Sequence, residues 1–346
     1  MFRSIKKAME MNIAKFLLSG IVVSLIGCEQ AVSPQDKNEN AGESYSSGPE
    51  KVFVNPNRHP LGQTEANALQ KTNGLGWGIM TDASGKVQTQ IWECTTYGNG
   101  ARTATCSVAS DQVLIGGGAW ADYGNGAGAL LTASYPQNNA LTTWVGSAKD
   151  HGISCSYTLH VYSIGLKLSG VSYSTLWNNM YFTSATSTAD HAPSINATLP
   201  AGYSLIGGGA KSNYQGNGQL LTASYPQNLT TWTVSAKDHK YADVATITAY
   251  AIGIKTTIPN FGSFTMDLGE SSNYVSSGYA EQSRALITGY VPACMGGHAT
   301  WNGQGRLLTK MAPSTDGSNN ALAGTKDHLY ADGGFTYVNF IQFKKL

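Results

Sequence analysis

Charged residues are scarce in this chain of 346 residues: Asp, Glu, Lys and Arg make up 12% of it, and the net charge is only +1. A protein that neutralises nucleic-acid phosphates needs a basic patch, and no such surplus exists here, so no nucleic-acid partner is expected. Long apolar runs are also lacking. The one at residues 16–26 falls well short of the ~20 residues that a spanning helix requires. Cysteines number five and histidines seven. None of them stand in Cys-x-x-Cys or His-x-His spacing, so neither a metal nor a cofactor is expected. Stretches of helical period rich in Lys, Glu and Leu are few. What abounds is Gly, at 40 residues, and Tyr, at 18, together with Ser, Thr and Asn. That is the composition of short strands joined by polar turns, and the expected class is an exported all-β protein.

One pattern occurs three times. Leu130-Leu131-Thr132-Ala133-Ser134-Tyr135-Pro136-Gln137-Asn138 leads to Trp144 and to Lys149-Asp150-His151. Leu220-Leu221-Thr222-Ala223-Ser224-Tyr225-Pro226-Gln227-Asn228 leads to Trp232 and Lys237-Asp238-His239. A worn copy, Leu307-Leu308-Thr309, leads to Lys326-Asp327-His328, with Ala321 near the Trp position. Before each lies a glycine strand, Leu114-Ile115-Gly116-Gly117-Gly118-Ala119 and Leu205-Ile206-Gly207-Gly208-Gly209-Ala210, matched in the third copy by Cys294-Met295-Gly296-Gly297-His298-Ala299. A Gly-Asn-Gly or related turn comes next each time and marks a hairpin tip. The unit is about 90 residues long, which places the repeats at about 76–166, 167–254 and 255–346. A unit of that size holds a small antiparallel sheet, and three sheets around a pseudo-threefold axis leave the fewest bare edges. Three beads in a row is the alternative. Triple glycine inside a strand suits close backbone approach better than a phosphate cradle, because no helix start follows.

The N-terminal segment points to the compartment. Arg3, Lys6, Lys7 and Lys15 precede the apolar run, a signal-peptide arrangement over residues 1–27, with Met1 or Met11 as the start. Leu25-Ile26-Gly27-Cys28 resembles the lipobox of bacterial lipoproteins, which implies acylation of Cys28 and anchoring to a membrane without spanning it. The alternative is an ordinary secretory signal. The expected location is the bacterial cell envelope, at the outer membrane or cell surface rather than the inner membrane. Residues 28–50 have the makeup of a disordered tether, while residues 51–75 form an uncertain extension with a short helix near 64–71. Removing residues 1–27 leaves 18 basic against 20 acidic residues. Cys94 and Cys106 flank the turn Tyr97-Gly98-Asn99-Gly100, so a disulfide across a hairpin is expected. Cys155 and Cys294 are the leftover pair.

The order Gly-Gly-Gly-Ala, Gly-Asn-Gly, Leu-Leu-Thr-Ala-Ser-Tyr-Pro, Trp, Lys-Asp-His, Tyr-x-Ile-Gly resembles the β-tripod, or β-prism-like, domains of bacterial MACPF-type insecticidal proteins. The resemblance covers residues 90–346 and implies target-cell recognition. Too little chain precedes it for a pore-forming domain.

Candidate ligand contacts are the triplicated Lys149, Asp150, His151, Lys237, Asp238, His239, Lys326, Asp327 and His328. Two readings compete: a polar pocket at each repeat for a glycan or lipid headgroup, or turns held by Asp and His. A third places one metal between the three histidines at the axis. Trp144, Trp232, Tyr135 and Tyr225 either stack on sugars or fill the core. Triplication argues against catalysis, which needs a single asymmetric constellation, and His59, His160, His191 and His298 show no spacing with a nucleophile. No catalytic residue is expected. The expected function is a membrane-anchored, multivalent binding protein, a monomeric pseudo-trimer recognising a glycan, lipid headgroup or cell-surface protein. A scaffold for a protein partner is the alternative, and a hydrolase is the least supported reading.

Overall fold

The computed structural model describes residues 78–314 and 318–346, together with the backbone of two short strands, β1 (Val52–Val54) and β2 (His59–Pro60). The segments expected to be a signal peptide (1–27), a tether (28–50) and a short helix (64–71) lie outside the described residues, as does Cys28. After β3 (Ile79–Thr81) the first repeat supplies β4 (Val87–Gly98), β5 (Ala101–Ser107), β6 (Val113–Asp122), β7 (Ala129–Pro136), β8 (Thr143–Asp150) and β9 (Tyr157–Leu168). A five-residue helix, α1 (Tyr173–Trp177), precedes the second set: β10 (Met180–Thr186), β11 (Ser194–Thr198), β12 (Tyr203–Ser212), β13 (Gln219–Asn228), β14 (Thr231–Asp238) and β15 (Ile247–Lys255). After β16 (Thr257–Ile258) comes the third set: β17 (Gly262–Val275), β18 (Tyr279–Ala285), β19 (Val291–Ala299), β20 (Arg306–Pro313), β21 (Asn320–Asp327) and β22 (Gly334–Lys345).

The fold is all-β and has three sheets, antiparallel except for the parallel β1, as the three-sheet expectation required. Their strand orders are β1-β5-β8-β7-β12-β15-β10, then β11-β14-β13-β19-β22-β17-β16, then β18-β21-β20-β6-β9-β4-β2, with β3 on β4. The sequence did not show that each sheet takes strands from two successive repeats. The Leu-Leu-Thr strand β7 pairs with the glycine strand β12 of the second repeat, β13 pairs with β19 of the third, and β20 returns to β6 of the first. The exchange closes on itself, which rules out three beads in a row. It also corrects the geometry behind the disulfide. Cys94 and Cys106 are joined, but they do not face each other across a hairpin: β4 pairs with β9 while β5 pairs with β8, so the bond ties two sheets together. Cys155 and Cys294 are buried free thiols.

Backbone irregularities recur in register. The glycine strands bulge between Leu114 and Gly116, Leu205 and Gly207, and Pro292 and Cys294, each against β9, β15 or β22. This register moves the third-copy match by two residues, so Gly296 corresponds to Gly118 and Gly209. A Cβ on Gly118, Gly209 or Gly296 would strike the carbonyl of Met311, Ser134 or Ser224 in the adjoining repeat. One on Gly207 would strike the Ile115 carbonyl, and one on Gly116 that of Ala293. The glycines therefore serve backbone crowding between repeats. Trp144 and Trp232 roof Gly117 and Gly208, are buried at 1% and 0% exposure, and donate their indole N–H to Ser134 and Ser224 at 3.0 and 3.1 Å. In the third copy the matching positions hold Ala321, Met295 and Met311, all buried. A small residue stands where the indole was, a larger one where the glycine was, and an apolar one where the indole's acceptor was.

Candidate functional site

The pseudo-threefold axis is marked by two triads of equivalent residues. Leu130, Leu220 and Leu307, all at 0% exposure, form a small apolar cluster of their own. Two residues beyond their strand partners Lys149, Lys237 and Lys326 stand His151, His239 and His328. The three imidazoles are buried at 3%, 1% and 0% exposure, with ring centroids 5.3 Å apart for His151 and His239 and 5.7 Å for the other two pairs. The histidines of three repeats are thus brought into one cluster, not distributed over three pockets.

Burial is the main cause that keeps these rings neutral. It pushes His151 down to about 3, helped by His239 and His328 and then by Lys149 and Lys240. His239 falls to about 4 through burial, then His328, Lys237 and Lys240. His328 is lowered by burial against the opposing effect of the backbone carbonyls of His151 and Ala127, which accept from its ring. His328 Nε2 lies against the carbonyl of His151, while both ring nitrogens of His151 and of His239 have no hydrogen-bond partner. Among the described residues no group of three or more His, Cys, Asp or Glu side chains is placed to hold a metal ion.

The lysines and aspartates of the motif are engaged in holding the frame. Each lysine reaches the turn of the following repeat: Lys149 Nζ donates to Asn217 O at 2.5 Å, Lys237 to Gln304 O at 2.5 Å and Lys326 to Ala127 O at 2.6 Å. Each ammonium also lies over an aromatic ring there, Tyr214, Trp301 or Tyr123, at 5.0, 4.8 and 4.9 Å. The aliphatic stems pass over Gly218, Gly305 and Gly128, whose φ values of 101°, 108° and 125° already demand glycine. Burial lowers the pKa of Lys149 and Lys237, opposed by nearby carboxylates. Each aspartate closes its own loop by accepting the N–H five residues on: Asp150 from Cys155, Asp238 from Asp243 and Asp327 from Asp332.

Sequence reasoning stopped at the tripeptide and missed the loop beyond it. Asp332 accepts N–H groups of Asn302, Gly303 and Gly305 at 3.0, 2.9 and 2.6 Å. Burial works to raise its pKa, but these donors outweigh it and hold the carboxyl below its usual range. Asp243 does the same for Gly218 at 2.6 Å. The first copy has Cys155 instead, its sulfur packed against Gly126. The signal was present as His239-Lys240-Tyr241-Ala242-Asp243 and His328-Leu329-Tyr330-Ala331-Asp332. In these loops Gly152, Lys240 and Leu329 share a left-handed backbone, at φ 70°, 63° and 66°. Tyr241 then lies 5.7 Å from the ring of His151, and Tyr330 lies 6.0 Å from that of His239. Each aromatic covers the histidine of the preceding repeat and is itself exposed.

The other histidines are satisfied locally. His160 Nδ1 is 2.7 Å from Glu93, His191 Nδ1 2.6 Å from Asp238 and His298 Nδ1 2.8 Å from Asn339; the side chain of His59 lies outside the described residues. Trp144 and Trp232 are core residues. Tyr135 and Tyr225 are half-buried on outer sheet faces, stacked on Tyr250 at 5.0 Å and His298 at 4.3 Å. No family profile and no curated protein sequence matches the chain. What is defined is a three-sheet, β-prism-like all-β protein.

Proposed function

We propose that this protein is a membrane-anchored, multivalent binding protein of the bacterial cell envelope, tethered through Cys28, which recognises a surface ligand, a glycan or lipid headgroup, with the axial end of its β domain. The repeat motifs resemble the β-tripod domains linked to target-cell recognition, and that resemblance supports the same reading. One observation carries it: the loops after the three Lys-Asp-His tripeptides meet at one end of the axis and hold Ile153, Tyr241, Val244, Leu329 and Tyr330 exposed. Apolar side chains gathered in this way mark an interaction surface more often than scattered exposed ones do. The tripeptides contribute by positioning. Lysines fix the neighbouring turn, aspartates fix the loop, and the histidines form the floor beneath the exposed rings.

Two variants test this. Replacing Asp150, Asp238 and Asp327 together by Asn weakens the loop-closing acceptors, and a lower Tm is expected with reduced binding to cells. Replacing Tyr241 and Tyr330 by Ser is expected to abolish binding to glycan arrays, vesicles or cells at unchanged Tm. Full binding by the second variant to every target bound by the parent sinks the reading.

A further inference from the structure

The exposed axial loops have a chemistry that narrows the ligand, given the proposed function above. We infer that the tip formed by Ile153, Tyr241, Leu329 and Tyr330, with Lys240 among them, docks on the interface of an anionic lipid bilayer.

Charge is the first argument. Every carboxylate in the three loops is turned into the frame: Asp150, Asp238 and Asp327 accept loop N–H groups, while Asp243 and Asp332 accept those of the adjacent turns. The lysines of the tripeptides are spent on turn carbonyls. Lys240 is the exposed ion left in these loops, its ammonium 5.0 Å above the ring of Tyr241. A positively charged point within an apolar ring complements anionic headgroups, and its stem can lie along apolar surface while the charge stays in the headgroup layer.

Side-chain type is the second. Ile153, Leu329 and Val244 are 49%, 40% and 56% exposed, and they offer a sugar no hydrogen bond. Tyr241 and Tyr330, at 40% and 46%, have an apolar body and a polar end, the combination that settles at membrane interfaces. A glycan site built from these residues would leave most hydroxyls unpartnered. Backbone conformation is the third. Lys240 and Leu329 keep left-handed φ values at the position that Gly152 fills in the first copy. A side chain is retained there against the steric preference for glycine, over the axis and facing outward. Because the axis passes through the tip, equivalent loop residues meet a flat surface together.

The test uses the full chain with Cys28→Ala, which removes the acyl anchor, in flotation with vesicles of phosphatidylcholine alone and of phosphatidylcholine mixed equally with phosphatidylglycerol. Binding to the anionic vesicles should exceed binding to the neutral ones about fivefold. Lys240→Gln should weaken it about fivefold, the effect of one cation near an anionic surface. Ile153→Ser, Tyr241→Ser, Leu329→Ser and Tyr330→Ser combined should reduce it to background. Tm is measured for each variant, and Lys240→Gln remains informative should the fourfold variant misfold. Equal flotation of parent and both variants overturns the inference, as does equal binding to neutral and anionic vesicles. Tip-dependent binding to a glycan array without vesicle binding overturns it while the surface-ligand reading stands. Tip-dependent self-association in sedimentation, with no vesicle binding, assigns the patch to a second copy and overturns it too. Loss of all tip dependence, for vesicles, glycans and cells alike, removes both.

Discussion

Within each Lys-Asp-His tripeptide the three side chains leave in three directions and do three jobs. The lysine reaches another repeat, the aspartate its own loop, and the histidine the axis. The histidine role has a measurable consequence. His151 and His239 take up protons only near 3 and 4 in the folded chain, whereas free imidazole does so near 6.5. The unfolded chain therefore binds protons first. The stabilising contribution is complete above about pH 6.5 and is lost progressively as the pH falls towards the folded values. Tm should drop by about 5 °C or more between about pH 7.5 and about pH 5. That window lies above the range where carboxylates titrate, and most of the drop should disappear in a His151→Leu, His239→Leu, His328→Leu variant, the remainder being the share of His298, whose pKa burial also lowers. The tripeptides were legible in the sequence as the mark of a repeat. Their division of labour was not, because the partner of Lys149 is Asn217, a carbonyl that only the neighbouring repeat brings within reach.

At the scale of elements, the turn after each glycine strand is a socket for the lysine of the preceding repeat. Lys149→Met, Lys237→Met or Lys326→Met keeps the stem but removes the hydrogen bond and the ring contact, at a cost of about 1–2 kcal/mol each. Urea denaturation of the single variants should give three similar losses, and the triple variant a loss at least as large as their sum. A null effect at one lysine would mean that its turn is held by other contacts. The glycine strands are recognisable as sites of close approach, but the glycine pattern of the third copy lies two residues away from its structural equivalent. Its glycines had moved: Met295 occupies the position roofed by an indole elsewhere, and only the ladder with β22 reveals it. The disulfide shows a similar gap. Spacing correctly paired Cys94 with Cys106, yet β4 and β5 diverge at the Gly-Asn-Gly tip into separate sheets. With the two cysteines 12 positions apart in the chain, the bond is worth about 3 kcal/mol through the unfolded chain.

For the whole molecule, threefold repetition was plain in the spacing of the tripeptides, and three sheets could be expected from it. Strand exchange between repeats was invisible, since periodicity identifies strands but not their neighbours. The consequence for stability is direct: no repeat completes a sheet from its own strands. A fragment ending at residue 254 would leave β13 without β19 and β6 without β20. It should show no cooperative transition in calorimetry, whereas the intact chain should unfold in a single one. Stepwise melting of the intact chain, or a folded fragment, would contradict this interdependence of the repeats.

The hydrogen bond from Lys326 to Ala127 spans 199 residues and seals the ring at its last joint. In a chain synthesised from its N-terminus, β6 therefore has an open flank until β20 has emerged, well after the rest of its own repeat. Folding of this domain cannot finish repeat by repeat alongside synthesis. It must wait for the final third of the chain, and its folding rate should be slow, as it is for proteins dominated by contacts between distant residues.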